Sequence, residues 1–108
     1  MENINAKELL EEKINSDNMV LVYFGNSACG VCVDLKPKVE QMLLDYPKIK
    51  SYYIDVEAFP MTAASYSIFT IPGILVFTQG REYVREARHI SIGVLKDKVH
   101  RYYQMLFN

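Results

Sequence analysis

Met19-Val20-Leu21-Val22-Tyr23-Phe24-Gly25-Asn26-Ser27-Ala28-Cys29-Gly30-Val31-Cys32 is the stretch that decides how this chain folds. Residues 19 to 24 are almost continuously apolar, which suits a strand covered on both faces. Cys29 and Cys32 are the only cysteines of the chain and stand three residues apart at the head of a helix-like segment. At that spacing the two thiols are close enough to share a disulfide. The first lies where unpaired backbone N–H groups and the positive end of a helix dipole stabilise a thiolate. The stretch therefore points to reversible dithiol–disulfide exchange.

The following helix carries the clearest periodicity. Cys32, Leu35, Val39, Met42, Leu43 and Tyr46 fall on one face, and Pro47 ends it. Asn26 or Ser27 is the expected N-cap. Pro37 lies inside and predicts a kink, because it offers no N–H and its ring crowds a preceding carbonyl.

Outward from this centre, Ala6, Leu9, Leu10 and Ile14 predict an amphipathic helix over residues 6 to 15. Tyr52 to Val56 reads as a strand, and Met61 to Tyr66 as a short helix after Pro60. Ile74 to Phe77 is a buried strand, Thr78-Gln79-Gly80-Arg81 a hairpin turn, and Glu82 to Ala87 the returning strand. Leu95, Val99, Tyr102 and Leu106 predict an amphipathic C-terminal helix. The order α-β-α-β-α-β-β-α implies an α/β fold: a central mixed sheet of four to five strands with helices on both faces. Residues 1–108 are expected to form one domain.

With 50% hydrophobic residues, 23% charged and a net charge of −1, the composition is that of an ordinary globular chain. It gives no reason to expect nucleic acid or a membrane as partner. The first residues lack a basic and apolar leader pattern, so a cytoplasmic location is expected. In a reducing compartment a lone Cys-x-x-Cys reads as catalytic or metal-binding rather than as a staple. His89 and His100 fit no zinc spacing, so no metal is expected. Asp55 and Glu57 read as end-of-strand surface charges. Phe59 and Phe69 flank the third helix, with packing as their expected role.

Taken together, the landmarks resemble the thioredoxin family over nearly the whole chain. They are the strand ending in Phe24, Cys29-Gly30-Val31-Cys32, Pro37 five residues after the second cysteine, the short helix region 60–68, Ile71-Pro72 and Gly80. The resemblance implies a thioredoxin fold with a cis Ile71-Pro72 bond, and a thiol–disulfide oxidoreductase that reduces protein disulfides. Cys29 would be the nucleophile and Cys32 the resolving thiol. Gly30, Val31, Ile71 and Pro72 would meet the substrate, the backbone of Ile71 pairing with an extended segment. The expected partners are disulfide-containing proteins and, as electron donor, a thioredoxin reductase or low-molecular-weight thiol. No cofactor is implied, and a monomer is expected.

Some residues depart from the family pattern. Ala28 and Val31 replace the usual Trp and Pro of the motif, Gly25 replaces a second Trp, and Gly73 stands where Thr is frequent, leaving room there. Tyr23 replaces a buried Asp that handles the proton of the second cysteine, with Ser51 near the place of its Lys partner. Arg88 replaces a glycine that lets substrate backbone approach the disulfide. Val31, unlike Pro, has an N–H, which is expected to reach the Cys29 sulfur and make the pair more oxidising. Without the family's Asp, Cys32 is expected to deprotonate slowly. An adaptor or redox-sensing module of the same fold is the alternative function.

Overall fold

All seven residues of strand β2 (Met19–Gly25) are buried, as an apolar run between two layers of helices requires. In the computed structural model, which describes residues 1–107, this strand is the centre of a five-stranded sheet. The other strands are β1 (Glu2–Asn3), β3 (Lys50–Asp55), β4 (Gly73–Thr78) and β5 (Arg81–Ala87). Their order is β1-β3-β2-β4-β5. β1, β3 and β2 run parallel, and β4 and β5 are antiparallel to their neighbours. The helices are α1 (Lys7–Ser16), α2 (Gly30–Leu43), α3 (Pro60–Ser65) and α4 (Ile92–Phe107).

Alternation along β2 divides the core in two. Met19, Leu21 and Tyr23 point to one face, where Leu35, Val39 and Met42 of α2 meet Leu95 and Val99 of α4. Val20, Val22 and Phe24 point to the other, covered by Leu10 and Ile14 of α1 and Ala63 of α3. The 2.0 period of the strand and the 3.6 period of each helix thus agree on one layered arrangement.

The mixed sheet of five strands with helices on both faces is as expected, the fifth strand being β1, which the sequence pattern does not locate. β1 is two exposed residues long, extended by the Ile4 N–H donating to the Tyr53 carbonyl at 3.0 Å. A two-residue strand has no periodicity to read; it exists because β3 offers an open edge. Helix α2 ends at Leu43, before the expected Pro47 stop; Asp45 and Tyr46 follow in turns, and Tyr46 still reaches the core. Pro37 lies inside α2 without ending it. Gln79 and Gly80 both have positive φ, 51° and 82°, the two-residue turn whose twist suits a tight hairpin.

Candidate active site

Sheet register gathers the site. Phe24 near the end of β2 pairs with Gly73 at the start of β4, and Gly25 pairs with Asp55 at the end of β3. Gly73 also pairs with Ala87 at the end of β5. The segment carrying the cysteines, the Ile71-Pro72 segment and the loop after β5 therefore emerge at one end of the sheet. The Ile71-Pro72 peptide bond is cis.

Cys29 and Cys32 form a disulfide, with Cα atoms 5.2 Å apart. Cys29 is the N-cap of α2: its backbone is extended (φ −93°, ψ 105°), and its Sγ accepts the Cys32 N–H at 3.2 Å. Neither Asn26 nor Ser27 is the cap. The Asn26 side chain turns back to its own loop, Oδ1 accepting the Ala28 N–H at 2.6 Å. This leaves Cys29 to meet the open helix end. The Val31 N–H does not take the role expected of it; the donor to sulfur is Cys32. Val31 instead projects outward at 60% exposure, and Gly30 is also exposed.

The two sulfurs are unequal. Cys29 is half-buried, whereas Cys32 is 2% exposed and belongs to the core cluster of α2 and α4. Beneath it lies Tyr23, fully buried, whose hydroxyl donates to the Cys32 carbonyl at 2.6 Å. Burial pushes the Tyr23 hydroxyl up to about 12, with the neighbouring Tyr53 adding to the effect. Such a group exchanges no proton near neutrality. Tyr53, its partner across β3, stacks on it with ring centroids 5.9 Å apart.

Pro72 is buried, and its carbonyl accepts the Arg88 N–H at 2.9 Å. Ile71 is half-buried, and its own N–H and carbonyl have no hydrogen-bond partner among the described residues. Gly73 does not leave open room: a Cβ there would meet Ile68 at 3.2 Å. Phe59 packs against the α1/α3 core as expected, but Phe69 is 78% exposed and packs little.

Asp55 and Glu57 do more than mark the end of a strand. The Asn26 amide donates to Glu57 at 2.7 Å and more weakly to Asp55 at 3.4 Å. Asp55 in turn accepts the N–H of Glu57 at 2.9 Å. Asn26 is 8% exposed and also holds the Cys29 N–H through its carbonyl, at 3.1 Å. It thereby ties the turn before Cys29 to the exit of β3. The sequence shows an Asn before a helix, but its partners lie about thirty residues on and are set only by strand pairing. Among the described residues no three His, Cys, Asp or Glu side chains are grouped to hold a metal ion. His100 bonds the Tyr46 hydroxyl at 3.0 Å, away from the cysteines.

Comparison with known proteins agrees with this geometry. The family model described as Thioredoxin matches residues 2–101. A thioredoxin-like protein of Bacillus subtilis, YdfQ, is 29% identical, the match covering 97% of this chain and 94% of that protein. A thioredoxin of Chlamydia trachomatis is 32% identical over 91% of this chain and 89% of its own length. Among solved structures, a thioredoxin variant from Halobacterium salinarum superposes with a TM-score of 0.85 at 24% identity, covering 94% of this chain and 89% of that one. The fold expected from the sequence is thus the observed one, and the chain belongs to the thioredoxin family, with a close cysteine pair of the thiol–disulfide oxidoreductase type.

Proposed function

We propose that this protein reduces disulfides in other proteins, Cys29 attacking and Cys32 resolving. The observation that carries the reading is the inequality of the two sulfurs: one accessible at a helix N-cap, the other enclosed one turn along. In the reduced protein, the Cys29 thiolate attacks one sulfur of a substrate disulfide. A Cys29–substrate disulfide forms and the first substrate thiolate leaves. Cys32 then loses its proton to water or to the departing thiolate and attacks the Cys29 sulfur. The intramolecular disulfide forms and the second substrate thiolate leaves. Two electrons pass to the substrate, and a thioredoxin reductase or low-molecular-weight thiol returns them.

The helix end favours the thiolate of Cys29 over the thiol, through the Cys32 N–H and the dipole. The free backbone groups of Ile71 suit pairing with an extended substrate strand, and exposed Gly30 and Val31 supply the surface beside it. With Tyr23 committed to the main chain, resolution is the slower half of the cycle.

Reduction of insulin disulfides under dithiothreitol tests the reading. Catalysis above the thiol background, lost in Cys29→Ser and replaced by a trapped mixed disulfide in Cys32→Ser, is the expected result. No catalysis by the native protein would overturn it in favour of an adaptor or redox-sensing module.

A further inference from the structure

Arg88 is placed at a cost. It follows β5 with φ +66°, a left-handed backbone that disfavours any residue with a Cβ. Non-glycine residues found there are mostly Asn, Asp or His. A glycine would occupy the position without strain. Strain of this kind clusters at active sites and ligand clamps; Ser67 and Gln79 share it in this chain, and of the three Arg88 alone lines a groove beside the cysteine motif.

The surroundings indicate how the side chain is used. The Arg88 N–H is held by the Pro72 carbonyl, which fixes its backbone beside the cis bond. Arg88, His89 and Ile90 form one wall of a groove of about 500 Å³; Val31, Asp34 and Lys38 of α2 contribute to the other. Val31 lies between the two cysteines, so the groove runs beside the motif, with neither cysteine in its lining. Several other cations are already paired: Arg85 with Glu82, Lys96 with Asp45, Lys98 with Glu86. Arg88 and Lys38 form no ion pair among the described residues, and neither lies within 4.0 Å of the Asp34 carboxylate. Two cations against one carboxylate make the groove positive, on a chain whose net charge is −1.

We propose that Arg88 is a specificity-determining residue, selecting disulfides flanked by an acidic residue in an extended segment. This rests on the reading of Cys29 as nucleophile. Apolar Val31 and Ile90 take the aliphatic part of the segment, and the guanidinium fork receives its carboxylate. As the segment fills the groove it displaces water, and the ion pair becomes stronger than an open surface pair.

The test follows one chemical step. Reduced Cys32→Ser protein is mixed with peptides carrying one cysteine as a mixed disulfide with the same uncharged thiol. The residues flanking that cysteine are Glu, Gln or Lys. Each capture rate is divided by the rate of the same peptide with 2-mercaptoethanol, which removes the peptide's intrinsic reactivity. The expected order is Glu above Gln above Lys, with a Glu-to-Lys ratio of about ten at low salt that shrinks as salt rises. Arg88→Gly, which suits the left-handed backbone, brings the ratio toward one, and Arg88→Glu inverts it. A wild-type ratio within about twofold, or one unchanged in Arg88→Gly, overturns the proposal. The ratio does not depend on turnover. Selectivity without insulin reduction would remove the reductase reading alone, and insulin reduction without selectivity would remove the role of Arg88 alone.

Discussion

The hydroxyl of Tyr23 donates a 2.6 Å hydrogen bond to the carbonyl oxygen of Cys32, joining the central strand to the peptide of the second cysteine. The bond lies next to a weak point of α2. Pro37 has no N–H to give the Val33 carbonyl, so the helix lacks one of its own bonds in this turn. Tyr23→Phe keeps the stacked ring and removes only the donor. Urea unfolding of the disulfide form should show a loss of about 1–2 kcal/mol. A variant as stable as wild type would mean that the bond contributes nothing net.

Buried tyrosines make the fold sensitive to alkali. Tyr23 is pushed up to about 12 by burial. Tyr52 is raised by burial and then by its hydrogen bond to Asp17, and Tyr53 and Tyr66 are raised chiefly by burial. The folded chain therefore holds these protons where the unfolded chain, titrating near pH 10, releases them. This stability is complete below pH 10 and is lost as pH rises from there toward 12. At pH 11 the ionisation of Tyr23 alone should cost about 1 kcal/mol. Urea midpoints compared at pH 9 and 11 should fall less in Tyr23→Phe than in wild type; equal falls would refute the assignment to Tyr23.

Gly25 is a contact glycine. A Cβ there would stand 3.0 Å from the Tyr23 ring, 3.3 Å from Cys32 Cβ and 3.5 Å from Cys32 Sγ. The Tyr23 ring is held by Tyr53, so Cys32 is the side that must give way. Gly25→Ala should destabilise the protein by about 1–3 kcal/mol. The tight neighbours are the Tyr23 ring and the Cys32 Cβ, and Cβ stays in place when the thiol rotates, so dithiol and disulfide forms should lose stability alike in urea unfolding. A variant as stable as wild type in either form would be the contrary result.

Asn26 faces two carboxylates. Asn26→Asp preserves the acceptor for the Ala28 N–H but sets a third negative charge against Asp55 and Glu57. The introduced carboxyl should titrate above its usual value, so the penalty is present at neutral pH and is relieved as pH falls through that raised value. The melting temperature relative to wild type should be lower at pH 7.5 and recover much of the difference at pH 4.5. Asn26→Ala, which removes all three side-chain bonds, should lose about 1–3 kcal/mol with no such recovery. A pH-independent loss in Asn26→Asp would count against the charge account.

Legibility followed the range of the interactions. Gln79-Gly80 announced its hairpin because the left-handed turn is a local demand met by glycine. The face of α2 was readable because a helix repeats its buried positions every turn. Glu2–Asn3 was not readable, since two exposed residues become a strand only when β3 is beside them. The N-cap was misplaced for a related reason. Asn26 has the right chemistry for a cap, but its oxygen accepts the Ala28 N–H while its amide is held by Glu57, a partner that only strand pairing brings near.

By itself, then, the amino-acid order determined the layered α/β architecture and the cysteine pair at a helix start. These rest on periodicity, spacing and backbone stereochemistry, which act within a few residues. Only the tertiary structure decided that Tyr23 serves the Cys32 carbonyl, and that Arg88, without an ion pair among the described residues, stands across a groove from Val31. Each of those depends on burial and on partners brought together by strand register, and both are properties of the assembled sheet and helices.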